Sequence, residues 1–512
     1  MLNFIRKTEL VLFYLFIFSI PLEKRHVLET GASRIDGHFI EWNSAALYLS
    51  DILFGLVILL WIFRFLFSLK NKKKEKDNKT IKTLLIIFSI FILTSLISAI
   101  NSDFVKLSLY HLAKLIEYGI LFFYTIINLK STKKIIYTLL AFIFSGFFQA
   151  ILGIAQYLKQ SSLNLKIFGE VDLSPAIQNI SKIDVFGEKM IRAYGTFPHS
   201  NVLACFLFIS IIFTICFILV ISSGASLRRE IALPFFIKIT KNGKKNVFRK
   251  FASVLNLPTF IFVLYVLFLG LFLTFSRSGF LAYLVSTLFI ILSILFLSSG
   301  FKKLLLSQFK NNFSKINIII ILILFIAITA TIFWPEITSR GLDNNPQDSY
   351  SLEGRELYNH LAGNIIRDNL LLGVGPGLFV NHLGQYLSEN FEWWQLQPVH
   401  NVYLLILAEN GLLGFIAFFI FILYILSQVR KVNFKQKSNY YINQILIIAL
   451  SSVLFSLFVI MLFDHYSWDI QQGALCFFVI LGLFYSSAES LVLKHRISSR
   501  SLEASSPRDR TL

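Results

Sequence analysis

Charge is scarce in this chain of 512 residues, since Asp, Glu, Lys and Arg together make up only 15% of it. A soluble core of such length carries closer to ~25%. The shortfall, with 55% hydrophobic residues, 55 Phe and a mean hydropathy of +0.68, is the composition of repeated membrane spans. Cysteine is almost missing as well. Cys205, Cys216 and Cys476 all lie inside apolar runs, which excludes a disulfide framework on a polar surface and gives no metal-ligand spacing. All three read as core packing. Acidic residues are the scarcer charge, 29 against 48 Lys and Arg, for a formal charge of +19. Such an excess can mark nucleic-acid binding, but these cations gather in alternate connectors between apolar runs, as the positive-inside rule requires. Nucleic acid is therefore not an expected partner. A leader cleavage site is also lacking. Arg6-Lys7 and the run Val11 to Ile20 resemble a signal peptide, yet Pro21-Leu22-Glu23-Lys24 follows with no small-x-small site, so a retained first span is expected.

Apolar runs predict an all-α integral membrane protein with about twelve spans near 9–21, 45–67, 82–100, 107–128, 134–158, 197–221, 257–275, 279–299, 316–333, 401–428, 441–464 and 469–490. They form one polytopic domain over 1–490, and the Ser- and Arg-rich tail 491–512 is expected to be disordered. With Arg6 and Lys7 inside, the inner connectors become 68–81, 129–133, 222–256, 300–315, 429–440 and the tail, and each carries a basic cluster. The outer segments are poorer in Lys and Arg, so both termini are expected in the cytoplasm. On this alternation the two long polar loops, 159–196 and 334–400, face outward together. The second lies between spans nine and ten and exceeds the roughly fifteen residues at which a loop becomes a functional or disordered segment.

The unusual residues collect on that outward side. Arg277 stands in Ser276-Arg277-Ser278-Gly279 between two spans. It reads either as a snorkelling anchor or as a planar fork for phosphate oxygens. Arg355 follows Gly354 near the start of an amphipathic helix marked by Leu357, Leu361 and Ile365. An arginine in a first helical turn opposes the helix dipole, which hints at function, although a solvated surface arginine fits as well. Gly373-Val374-Gly375-Pro376-Gly377 lacks a preceding strand and a following Lys, so it reads as a tight turn and not as a phosphate loop.

His400 opens span ten after Pro398 and before Asn401. The unpaired N–H groups of such a helix start make an anion site, and the positive helix end and nearby arginines keep an imidazole neutral. A neutral His suits a general base, and an interfacial imidazole bonded to a carbonyl is the structural alternative. Glu409 is ~13 Å deeper and on the opposite face of a straight helix, so a structural bond beside Asn410-Gly411 is expected of it. Lys114 and Glu117, three apart, are expected to pair. A second Pro-His entry, Arg192-Ala193-Tyr194-Gly195-Thr196-Phe197-Pro198-His199-Ser200-Asn201, precedes span six. Asp464, His465, Trp468 and Asp469 between the last two spans add polar groups without an assigned role.

In this order and on one side, Arg192 to Asn201, Ser276-Arg277-Ser278-Gly279, Gly354-Arg355, Gly373-Val374-Gly375 and His400-Asn401-Val402-Tyr403-Leu404 with Glu409 and Gly411 resemble the O-antigen ligase and O-antigen polymerase family of bacterial membrane proteins. The resemblance is strongest over 190–485. It implies a GT-C-like architecture and transfer of a glycan from an undecaprenyl-diphosphate carrier to an acceptor hydroxyl, such as that of lipid A–core or a glycan. The reaction would run at the outer face of the bacterial inner membrane without metal or other cofactor. By motif match Arg277 and Arg355 would grip the diphosphate, and His400 would activate the acceptor. Arg192, His199 and Asn401 would join the donor-binding set. Ligases, polymerases and protein oligosaccharyltransferases share these motifs. A flippase or secondary transporter is the alternative from another class, and it should show intramembrane charges along a path through the bilayer.

Overall fold

Runs of about twenty apolar residues can cross a bilayer only where every backbone N–H and C=O is bonded within the protein, which selects helices. The computed structural model describes residues 1–28, 33–35, 37–69, 79–178, 180–185, 187–222, 256–296, 331, 333–335, 346–387, 395–431 and 441–505. Its main elements, in order, are α1 (Leu2–Ser19), β1 (Arg25–Leu28), β2 (Arg34–Ile35), β3 (His38–Phe39), β4 (Ala45–Tyr48), α2 (Leu49–Leu69), α3 (Lys79–Ile100), α4 (Val105–Asn128) and α5 (Thr132–Lys159). There follow β5 (Lys182–Val185), β6 (Glu188–Ile191), α6 (Ser200–Ser222), α7 (Leu257–Leu273), α8 (Arg277–Phe296), α9 (Pro346–Asp368), α10 (Phe379–Leu383), α11 (Val402–Ser427), α12 (Tyr441–Ile460) and α13 (Gln471–Ser505).

Eleven of the twelve expected runs are helical. The ninth, 316–333, lies almost wholly outside the described residues, as do the inner connector 223–255 and the pair Trp393-Trp394. Among the described residues eight helices are long and apolar enough to cross a membrane, so the chain is a multi-pass membrane protein. Of the other three, α7 has 17 residues, α4 carries Lys114 and Glu117 mid-helix, and α1 begins at Leu2 and so takes in Arg6, Lys7 and Glu9. The all-α expectation needs a correction: three antiparallel pairs, β1/β4, β2/β3 and β5/β6, occupy the connectors before α2 and before α6. Outside hydrocarbon a short ladder satisfies its edges with water, so these connectors are free to form hairpins. In the first, Arg25 faces Tyr48 and Leu28 faces Ala45.

The helices sort by burial. In α6 and α13 most of the span is enclosed, 78% and 89%, whereas α2 and α8 are covered over only 17% and 22%. Leu59, Leu66, Ile86, Leu93 and Leu284 therefore stand out from the periphery, as side chains that lipid would cover. Small and hydroxylated residues draw the inner helices together: Ser286 of α8 and Ser456 of α12 share a hydrogen bond of 2.6 Å. Two clusters of charge in the helix layer are paired. Arg64 of α2 donates to Glu9 of α1 (2.7 Å) and to Asn128 of α4 (2.6 Å), and Lys114 of α4 binds Asp51 as well as the expected Glu117.

One device positions the site. Helix α11 breaks at Gly411, whose φ of 63° and ψ of −176° leave the helical region. The backbone groups freed by the break bond to the turn at 370–375: Val374 and Gly375 N–H donate to the Ala408 and Glu409 carbonyls (both 2.9 Å), and Leu412 N–H donates to the Leu370 carbonyl (2.8 Å). The glycine turn foreseen at 373–377 is thus the backbone patch of a broken membrane helix, with positive φ at Gly373, Gly375 and Gly377. Glu409 accepts from the Gly377 and Phe379 N–H groups and from Trp468.

Candidate active site

The connectors before α2, α6, α11 and α13 meet at one end of the helix layer and enclose a cavity of about 690 Å³. Its wall includes Glu23, Trp42, His199, His400, Asp464 and His465. Charge alternation had placed every one of these connectors on the same side, and the helices do bring them together.

His400 is held by the start of α11. Asn401 is the N-cap, and its Oδ1 accepts from the N–H groups of Tyr403 (3.0 Å) and Leu404 (3.2 Å). Val402 N–H donates to the Met461 carbonyl (2.8 Å), and Leu405 N–H to the Asn401 carbonyl (2.9 Å). The expected anion site at this helix start is therefore corrected. The N–H groups that would bind an anion are closed by the cap and by the end of α12, and the Asn401 oxygen is engaged in the cap.

The His400 imidazole lies 4.9 Å, centroid to centroid, from that of His465, and edge-on to Tyr358 of α9 at 6.2 Å. Its Nδ1 is buried without a hydrogen-bond partner among the described residues. Burial first, then the positive potential of His465, Arg355 and His199, holds its pKa well below the ordinary histidine value of 6.5. The direction matches the sequence reading; the leading cause is burial and not the helix end. His465 goes the other way. Burial opposes its charge, but Asp469 at 2.8 Å, together with Asp464, raises its pKa. Two imidazoles in contact are thus shifted in opposite directions, which is the pattern of an acid–base site. Asp464, raised by burial and pulled back by His465 and Arg355, accepts from Asn201 Nδ2 (3.1 Å).

The expected donor-binding residues divide. Arg355 acts electrostatically on His400, Asp464 and His465, so α9 does carry its guanidinium to the site. It does not sit in a first turn, because α9 begins at Pro346, and the dipole mismatch inferred from sequence falls away. Arg277 is exposed and is the first residue of α8; it does not line the cavity, and its neighbour Ser278 reaches Asp464 (3.5 Å). Arg192 is buried and donates to the Thr274 carbonyl and to Asn201 Oδ1 (2.8 Å), so it touches the site through the chain Arg192–Asn201–Asp464. His199 lines the cavity, bonds Ser181 Oγ (2.5 Å) and accepts from Asn201 N–H; burial first, then Arg192, pushes its pKa down to about 3.

Asp464, His465 and Asp469 are cavity-lining residues that sequence reasoning left unassigned. Their signal was present, five ionisable or aromatic groups within the six residues 464–469, but nothing local tied it to His400. Among the described residues His400, Asp464 and His465 also form the cluster able to hold a cation, with ligand atoms within 4.8 Å of one another.

A multi-span helical layer with acid–base groups and a guanidinium gathered at one end defines a membrane protein with an interfacial site. Residues 261–419, which contain Arg277, Arg355, His400 and Glu409, match the family model described as O-antigen ligase, within a chain that its helices make a multi-pass membrane protein. Comparison with curated proteins gives no match.

Proposed function

We propose that the protein is a glycosyltransferase of the O-antigen ligase type, moving a glycan from an undecaprenyl-diphosphate carrier to an acceptor hydroxyl at the outer face of the bacterial inner membrane. The observation that carries the reading is the meeting of His400 and the His465–Asp469 pair in one cavity, within the electrostatic reach of Arg355, with His400 and Arg355 inside the matched domain. In the reaction the acceptor hydroxyl oxygen forms a bond to the anomeric carbon while that carbon's bond to the diphosphate oxygen breaks. The bonding pair leaves with the diphosphate, and the hydroxyl proton passes to the neutral imidazole of His400. Arg355 and Arg277 meet the charge that grows on the leaving group. Arg192, His199 and Asn401 keep the wall and the helix start in register. The ligase label is preferred to polymerase because the large loop between spans nine and ten goes with this Arg/His set.

Donor binding and turnover, measured separately on purified protein in lipid, test the assignment. His400→Ala should leave binding of the lipid-linked donor nearly intact and lower turnover by roughly 10²–10⁴. Arg355→Ala and Arg277→Ala should weaken both, with Arg→Lys restoring only part, because an ammonium lacks the bidentate fork. Loss of donor binding with normal turnover at saturating donor in His400→Ala would make His400 a ligand contact instead. Normal transfer by all three variants would place the chemistry on other residues, and no transfer by the unaltered protein would favour the transporter reading. The grouping of His400, Asp464 and His465 supports a second reading, a cation-assisted transfer. The arginine-based mechanism predicts full activity in EDTA; loss restored by Mg²⁺ or Mn²⁺ would select the cation instead.

A further inference from the structure

The cavity extends from His400 to a wall that the O-antigen ligase domain does not supply. That wall comes from the first connector and α4: Glu23, Arg25, Trp42 and Tyr48, facing Tyr110 and Lys114. Neither Arg277 nor Arg355 lines it. If the guanidinium groups take the diphosphate, the donor's anomeric carbon lies on their side of His400, and the hydroxyl that gives up its proton lies on the other. Resting on the transferase reading in this respect, we propose that the N-terminal wall is the acceptor subsite and that it takes an uncharged saccharide.

Both permanent cations in this wall are already matched. Arg25 is bound by Glu23 (3.1 Å) and by Glu41, and Lys114 by Asp51 and by Glu117 (3.3 Å). The imidazole beside His400 is matched too, since Asp469 holds His465 at 2.8 Å. An acidic sugar would have to displace a carboxylate to reach any of them, while Glu41 and Asp469 would repel it. Hydroxyl groups meet no such penalty. The wall offers them planar polar groups and aromatic faces, the chemistry that grips a sugar's edges and its C–H faces. Trp42 is the best placed of these. It stands edge-on to His465 at 5.2 Å, is only half-buried, and its indole N–H has no partner among the described residues. A volume of about 690 Å³ falls inside the range of roughly 300–1,000 Å³ of pockets that enclose small ligands.

The test uses the full chain in lipid nanodiscs and reads binding directly by saturation-transfer NMR. The probes are a panel of neutral hexose and N-acetylhexosamine trisaccharides and the same trisaccharides oxidised at C6 to uronates. At least one neutral probe should bind, with its uronate weaker by roughly tenfold or more. Trp42→Ala should cost a similar factor, the scale of losing one central aromatic contact, and Trp42→Phe should recover much of it. A second variant does not depend on Trp42: Glu41→Gln leaves Arg25 short of one carboxylate and should narrow the gap between neutral and uronate probes. The subsite is overturned if no neutral probe binds, if uronates bind as well as their parents, or if both variants leave binding unchanged. Saccharide binding with the expected pattern but no glycan transfer would sink the transferase reading and leave the subsite standing.

Discussion

Burial of single ionisable groups sets this protein's pH behaviour. Glu23, outside the spans and at the cavity wall, is pushed up from 4.5 to about 7 by burial, against the attraction of Arg25. Its folded form therefore holds a proton that the unfolded chain has already lost between these values. The stabilisation from that proton is complete below about pH 4.5 and is lost as pH rises through 7, a change of a few kcal/mol at most. Thermal unfolding of the purified protein should fall between pH 5 and pH 8, and Glu23→Gln should flatten that part of the profile. An equal fall in the variant would place the titrating group elsewhere.

The break in α11 depends on a glycine. A Cβ on Gly411 would lie 2.3 Å from the Leu371 carbonyl oxygen, and its φ of 63° disfavours any L side chain. Gly411→Ala should straighten the helix or push the 370–375 turn away, uncovering carbonyls that have no other donor in the bilayer. A loss of folded yield and a stability cost of ~3 kcal/mol or more is expected, measured by thermal unfolding in detergent. Gly363 in α9 is the control. Nothing lies within 4 Å of its Cβ position, so Gly363→Ala should be neutral or stabilising by about 0.5–1 kcal/mol. Because α11 carries His400 at its start and Glu409 beside the break, Gly411→Ala should also lower turnover more than Gly363→Ala does.

For the molecule as a whole, the arrangement predicts sidedness. Lys189 in β6 belongs to the cavity end, whereas Lys130 between α4 and α5 belongs to the opposite end. Cysteine at Lys189 should label from outside intact cells and cysteine at Lys130 only after permeabilisation. Cys205, Cys216 and Cys476 are buried and should contribute little background. Labelling of both positions from one side would break the alternation on which the outward site depends.

The sequence by itself determined the spans, because an uninterrupted apolar run must satisfy its own backbone and only a helix does so in lipid. It also determined that His199, Arg355 and His400 share one side, since charge in the connectors orients each span in turn. It showed Glu409 beside a glycine break, but not that the turn at 373–377 closes that break. Tertiary structure alone decided which of the gathered groups touch. His465 lies against His400 and Trp42 against His465 although long stretches of sequence separate them, and no periodicity encodes such contacts. It also decided that Asn401 caps the helix, and that Arg192 reaches Asp464 through Asn201. Those outcomes depend on which acceptor packs within 3 Å of each donor, and packing of distant helices settles that.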